Sequence, residues 1–180
     1  MDSAWVSGNA ELFGNAHISD DAEIADSALV SGNAAISGDA NISGHALVNN
    51  DSKVADSADV RGVASISENA HVNENAHISG YARIFGRAHV HGNAQVTGVT
   101  RVSDDAEVQG NASVYGQAGI SGHATVSGNA QIHGNANVHD HSNISGDTRL
   151  FGDVEEPRDP EPTTVPGKET ETGTATATGS

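Results

Sequence analysis

Every sixth residue from Val6 to Leu150 is Val, Ile or Leu, without exception over 25 repeats. Two residues before each aliphatic, from Ala4 to Thr148, stands Ala, Ser or Thr. Two residues after each stands Gly in 17 of the 25 repeats, and Asp, Asn or Glu in the others. No insertion or deletion interrupts the period. Residues two apart point to the same side of an extended strand, so the small residue and the aliphatic share one inward side. The residues between and just after them point outward and are mostly polar. Gly and Asn then tolerate the positive φ that a sharp corner demands. A helix is excluded, because six does not match 3.6 and Gly recurs too often. Each repeat therefore predicts a strand of about four residues followed by a corner. One such strand cannot bury its face alone. Strands of successive coils stacked at roughly 4.8 Å can.

A second, longer period shows how many repeats make a coil. The corner column 8, 26, 44 and onward to 152 is Gly throughout except for Asp26, whereas the column from 14 to 140 contains Asn50, Glu68, Asp104 and Asp140. The bulky corner residues Val63, Tyr81 and Val99 also fall 18 apart in one column. A three-sided coil of 18 residues accounts for both facts. The fold class expected is all-β: a single-stranded parallel β-helix with three hexads per coil and about eight coils, roughly 40 Å long.

The repeat Ala-x-Ile/Val-x-Gly-Asn resembles the hexapeptide-repeat left-handed β-helix over about five-sixths of the chain. That superfamily places an aliphatic at one position of the hexad and a small residue at another, as in Val6 and Ala10 or Ile36 and Ala40. It usually has Gly one residue after the aliphatic; here Gly comes two after. The Ser-Gly-Asn-Ala and Ser-Gly-Asp-Ala phrasing is similar to the YdcK-like branch, commonly labelled acyltransferase-like. The left-handed sense is implied by this resemblance alone.

Composition narrows the functional classes. Only 3% of residues are aromatic, and there is one Met, so no conventional globular core can form. There is no cysteine, which removes disulfides and thiolate metal sites. The formal charge of −16 leaves no basic stripe for phosphates, so nucleic acid is not an expected partner. No run approaches the roughly 20 apolar residues of a membrane span. Nor does Met-Asp-Ser-Ala-Trp have the regions of a signal peptide. A cytoplasmic protein with no membrane partner is the expectation. The repeat domain is placed at residues 1–153. Residues 154–180, which hold all four prolines and many threonines, are expected to be a disordered acidic tail or linker. Trp5 and Phe151 are expected to cover the end coils.

Candidate chemistry lies in the outward positions. Hexapeptide acyltransferases use a histidine near a coil interface and an inserted loop that shapes the donor groove. No inserted loop occurs here. If the chain is such an enzyme, acting on an acyl-CoA donor, His71 and His89 are the catalytic candidates. Under the 18-residue coil His71, His89 and His91 share one face and form a candidate metal set. The γ-type carbonic anhydrases, a related fold, build such a site between subunits, but their other motif residues do not map here. The competing reading is of solvated polar residues with no cofactor. His123 and His141 form a further stacked pair at a corner. Outward Thr97 and Thr125 are isolated, which excludes a flat threonine ladder for ice. The Gly-Gly-x-Gly-x-Asp pattern of calcium-binding nonapeptides does not occur.

One face departs most from a polar surface. It carries Leu29 and Leu47 in one outward column and Phe13 and Phe85 in the other, with Val63, Tyr81 and Val99 on its leading corner and Arg83 and Arg101 beside them. An apolar stripe next to arginines on an otherwise polar, acidic rod is expected to be an interface. The leading expectation is a non-catalytic structural protein that self-associates as a lateral trimer, end to end, or both.

Overall fold

The computed structural model describes residues 3–152, an uninterrupted parallel β-solenoid with three faces. The expected tail, 154–180, lies outside the described residues. Twenty-five short strands run from Trp5–Val6 to Arg149–Phe151. The first face is a nine-stranded sheet containing Trp5–Val6, Glu23–Ile24 and every third strand thereafter. The second begins at Glu11–Leu12 and the third at His17–Ile18, and each has eight strands. All pairings are parallel and in an 18-residue register, as in Val30 opposite Val48 and Val72 opposite Val90.

The strands are shorter than the sequence suggests. Nearly all span two residues rather than about four. The reason is the corner, which takes up the rest of each hexad. All 25 corner positions adopt positive φ, 17 of them at Gly and eight at other residues. Seven of those eight are acids, from Asp20 to Asp140, and the eighth is Asn50. Left-handed φ costs an L-residue roughly 1–2 kcal/mol. Several carboxylates offset this by accepting a hydrogen bond from the next coil. Gly38 N–H donates to Asp20 and Gly122 N–H to Asp104, each at 3.0 Å, and Gly44 N–H to Asp26 at 2.9 Å.

The core is one column of alternating small and aliphatic side chains. From Ala22 to Ala136 almost every inward residue is fully buried, with Ile24, Ile66 and Ile120 among the largest. Full burial of such an aliphatic stabilises by roughly 1.5–3 kcal/mol. The solenoid adds this term coil by coil, so its stability is a sum over neighbours. Ser52 and Thr100 replace Ala in the small column and are also fully buried. The Ser52 hydroxyl donates to the Asn49 carbonyl at 2.7 Å. The Thr100 hydroxyl has no partner among the described residues.

Trp5 and Phe151 do not cover the ends. Both sit outward on the first face and are well exposed, while the inward Val6 and Leu12 of the first coil remain 45% and 40% accessible. The outward direction follows from strand alternation, which gives Trp5 the side opposite Val6. Phe151 packs edge-on to His133, and His133 stacks on Tyr115, both at 4.8 Å between ring centres. Tyr115, His133 and Phe151 thus form an aromatic column across three coils. Among the described residues no helix is long and apolar enough to cross a membrane.

Candidate functional site

Two outward surfaces gather the residues singled out in the sequence. The first is the apolar stripe on the second face. Register sets Leu29 opposite Leu47, Leu47 opposite Ser65, Ser65 opposite Arg83 and Arg83 opposite Arg101. Ser65 therefore separates the leucines from the arginines. Continuity comes from the adjoining corner. There Val63, Tyr81 and Val99 occupy successive coils, joined by backbone hydrogen bonds into Gly80, Gly98 and Gly116. These three side chains are 46%, 62% and 55% exposed. Leu29, Leu47 and Phe85 are half-buried.

The arginines give this face its chemistry. Arg83 lies over the Phe85 ring, 5.7 Å from its centre, within cation–π range. Arg101 stands on the next rung, and like charges directly opposite in a sheet repel. Among the described residues neither has a carboxylate within ion-pair distance. Arg87 differs, since its Nη2 donates to Asp105 Oδ2 at 2.7 Å. A shallow depression of about 320 Å³ lies beside Arg101, along Gln117, Gly119 and Asn135. A second of the same volume lies at the Glu68–Arg87–Asp105 corner. No histidine lines either one.

The second surface is the histidine cluster of the third face. Strand alternation aims His89 and His91 to the same outward side. Register places His71 one coil before His89 and Glu107 one coil after it. The His89 and His91 rings stack at 4.2 Å, whereas His71 meets His89 edge-on at 6.1 Å. His89 Nε2 lies 2.6 Å from Asn73 Oδ1, and His91 Nε2 lies 2.9 Å from Glu107 Oε1. Glu74 approaches His91 Nδ1 at 3.9 Å. The donor atoms that converge are those of His89, His91 and Glu107. His71 belongs to the histidine column but not to that convergent set. Glu107 could have been found by stepping 18 residues on from His89.

Partial burial is the main cause that holds the His71 imidazole below its ordinary value, and the Lys53 ammonium on the preceding rung adds to it. For His89 burial is again first, followed by repulsion from His91; Glu107 and Glu74 pull the other way, and His71 pushes with His91. Both rings therefore favour the neutral form. The corner pair stacks as expected, with His123 and His141 at 5.0 Å.

Two corner amide ladders lie outside the residues singled out from the sequence. Asn75 donates to Asn93, Asn93 to Asn111 and Asn111 to Asn129, each across 3.1–3.2 Å, and Asn129 donates to Asp147 at 2.9 Å. A shorter one runs from Asn15 through Asn33 to Asp51. The signal for both was an 18-residue recurrence of Asn after the corner position.

Residues 118–138 match the family model of the YdcK β-solenoid repeat. No curated protein matches the chain.

Proposed function

We propose that the chain, a three-faced parallel β-solenoid whose residues 118–138 match the YdcK repeat, is a non-catalytic scaffold that associates laterally with a second copy of itself through the second face. One observation carries the reading: Arg83 stands opposite Arg101 with no paired carboxylate among the described residues, beside the exposed Tyr81 and Val99. Two cations on adjacent rungs are destabilising unless an anion is brought to them. The chain carries 24 acidic and 8 basic residues, so another copy has carboxylates in excess to supply such an anion. Exposed apolar side chains flanked by charge also have the composition of an interface centre, with Tyr and Arg enriched there.

The alternative from the resemblance is an acyltransferase using His71 or His89. Those histidines lie on a flat strand face. Among the described residues no segment leaves the coil path to build a donor groove. Fold likeness by itself does not carry an activity.

Sedimentation velocity of the full chain tests the proposal. The unaltered protein is expected to sediment as an oligomer, and Leu47→Asp combined with Tyr81→Asp to shift it to the monomer. Both side chains point outward, so folding should be preserved, which far-UV circular dichroism checks. An unchanged oligomer size would show that the face is wrong, and a monomeric unaltered protein would remove the reading. Saturable acetyl-CoA binding by calorimetry would favour the enzyme instead.

A further inference from the structure

The third face holds a donor set that the proposed scaffold role does not use. His89 and His91 lie two residues apart on one strand and project to the same side. Glu107 lies directly over His89 on the next rung. One donor atom from each of these three residues lies within 4.8 Å of the others, and all three are partly buried. A second carboxylate, Glu74, stands 3.9 Å from His91. Elsewhere the third face is mainly small and polar, as at Ser19, Ser37, Thr125 and Ser127.

We propose that His89, His91 and Glu107 form a binding site for a divalent transition-metal ion, of the Zn²⁺ class, with one or more positions open to solvent. Two imidazoles and one carboxylate are a donor set that borderline metals accept. Mg²⁺ and Ca²⁺ prefer oxygen ligands throughout and would not select it. Tetrahedral Zn²⁺ with ligand bonds near 2.0–2.1 Å brings its donors to about 3.3 Å from one another. The present spacing, up to 4.8 Å, is wider than this, so binding requires the three side chains to turn inward about their torsions.

The neighbours suit such a site. In the arrangement where Asn73 Oδ1 accepts from His89 Nε2–H, the ring is oriented and its Nδ1 lone pair is left for a metal. Hydrogen bonding of the second ring nitrogen is the usual way a ligating histidine is held. Glu107 already reaches His91 Nε2, so the ion would replace the proton shared between them. Glu74 supplies a second negative charge, which lowers the cost of gathering the cation. The set differs from the three histidines that the sequence suggests: Glu107 takes the place of His71, because His71 meets His89 edge-on at 6.1 Å while Glu107 reaches across the strand direction to His91.

Calorimetric titration of chelator-treated full-length protein with ZnCl₂ at neutral pH tests this. One saturable Zn²⁺ per chain is expected. His91→Gln and Glu107→Gln should each weaken it by at least about tenfold, the scale seen even for supporting residues. His123→Gln with His141→Gln should leave it unchanged, and MgCl₂ should give no saturable heat. Absence of a saturable Zn²⁺ event would overturn the proposal. So would uptake that survives His91→Gln and Glu107→Gln but falls in the His123/His141 variant. All these side chains point outward, so the fold should be preserved, and far-UV circular dichroism of each variant separates loss of the site from unfolding. Sedimentation of the same variants keeps the outcome separate from the second-face proposal.

Discussion

Asn129 donates its side-chain amide to Asp147 across 2.9 Å, and there the five-rung corner ladder ends. A carboxylate has no hydrogen to pass on. The shorter ladder ends the same way, at Asp51. Each amide in between both donates and accepts, so the ladders have a direction along the chain. Asn111→Asp is expected to lower the thermal midpoint more than Asn111→Ser, because it sets a carboxylate against the Asn129 carbonyl oxygen. A net hydrogen bond contributes roughly 0.5–1.5 kcal/mol. Differential scanning calorimetry of the two variants checks the order; equal midpoints would show that the ladder carries no direction.

Asp104 tests the corner chemistry. It sits at φ 60° and accepts from Gly122 N–H at 3.0 Å. Asp104→Ala keeps the left-handed strain and loses the acceptor. Asp104→Gly loses both the strain and the acceptor. Alanine should therefore be the less stable variant, by about 1 kcal/mol. Urea unfolding midpoints decide it, and Ala at or above Gly would contradict the account.

Thr100 should be a weak point of the core. Its hydroxyl is fully buried without a partner among the described residues, at the corner where Val99 is exposed. Thr100→Ala restores the residue found at most equivalent positions. A gain on the order of 1 kcal/mol is expected from removing an unpaired polar group, less whatever packing the methyl provided. A drop in thermal midpoint would mean that packing outweighs the hydroxyl.

Position along the stack should set the cost of core truncation. Ile66 is fully buried, whereas Val6 is 45% accessible. Ile66→Ala is expected to cost about 2–5 kcal/mol, and Val6→Ala much less. Hydrogen exchange should show the same gradient, with the first coil opening before the middle ones. Equal costs at the two positions would argue against coil-by-coil stability.

His89 predicts a pH dependence whose sign can be worked out. Its folded-state value lies below the ordinary imidazole value, through burial and then His91, with His71 in the same sense and Glu107 and Glu74 opposed. The unfolded chain therefore binds a proton first as pH falls through about 6.5. Stability contributed by the neutral ring is present above that pH and decreases as pH falls towards the folded value, below which the penalty stays constant. His71 acts in the same sense, its ring held down by burial and Lys53. In chelator-containing buffer, His71→Asn with His89→Asn should flatten the loss of thermal midpoint just below pH 6.5. An unchanged slope would show that neither ring is coupled to folding.

Much of this molecule is present in its sequence. The inward alternation of Ala and Val or Ile, as at Ala64 and Ile66, specifies strand, corner and stacking, because a six-residue period with a left-handed corner leaves few other ways to bury those side chains. The 18-residue recurrence of corner types gives the three faces, so counting alone sets His71 beside His89, and Tyr81 between Val63 and Val99. The folded chain decided what adjacent columns do to each other. Side-chain reach across the strand direction brought Glu107 to His91 and left His71 outside the convergent set. Corner geometry shortened the strands to two residues and turned Asp20, Asp26 and Asp104 into acceptors for the coil above. It also stacked Tyr115, His133 and Phe151 into a column instead of laying an aromatic over the end. Periodicity fixes which residues share a column, since register is a matter of counting. Contacts between columns depend on torsions and distances that counting does not contain.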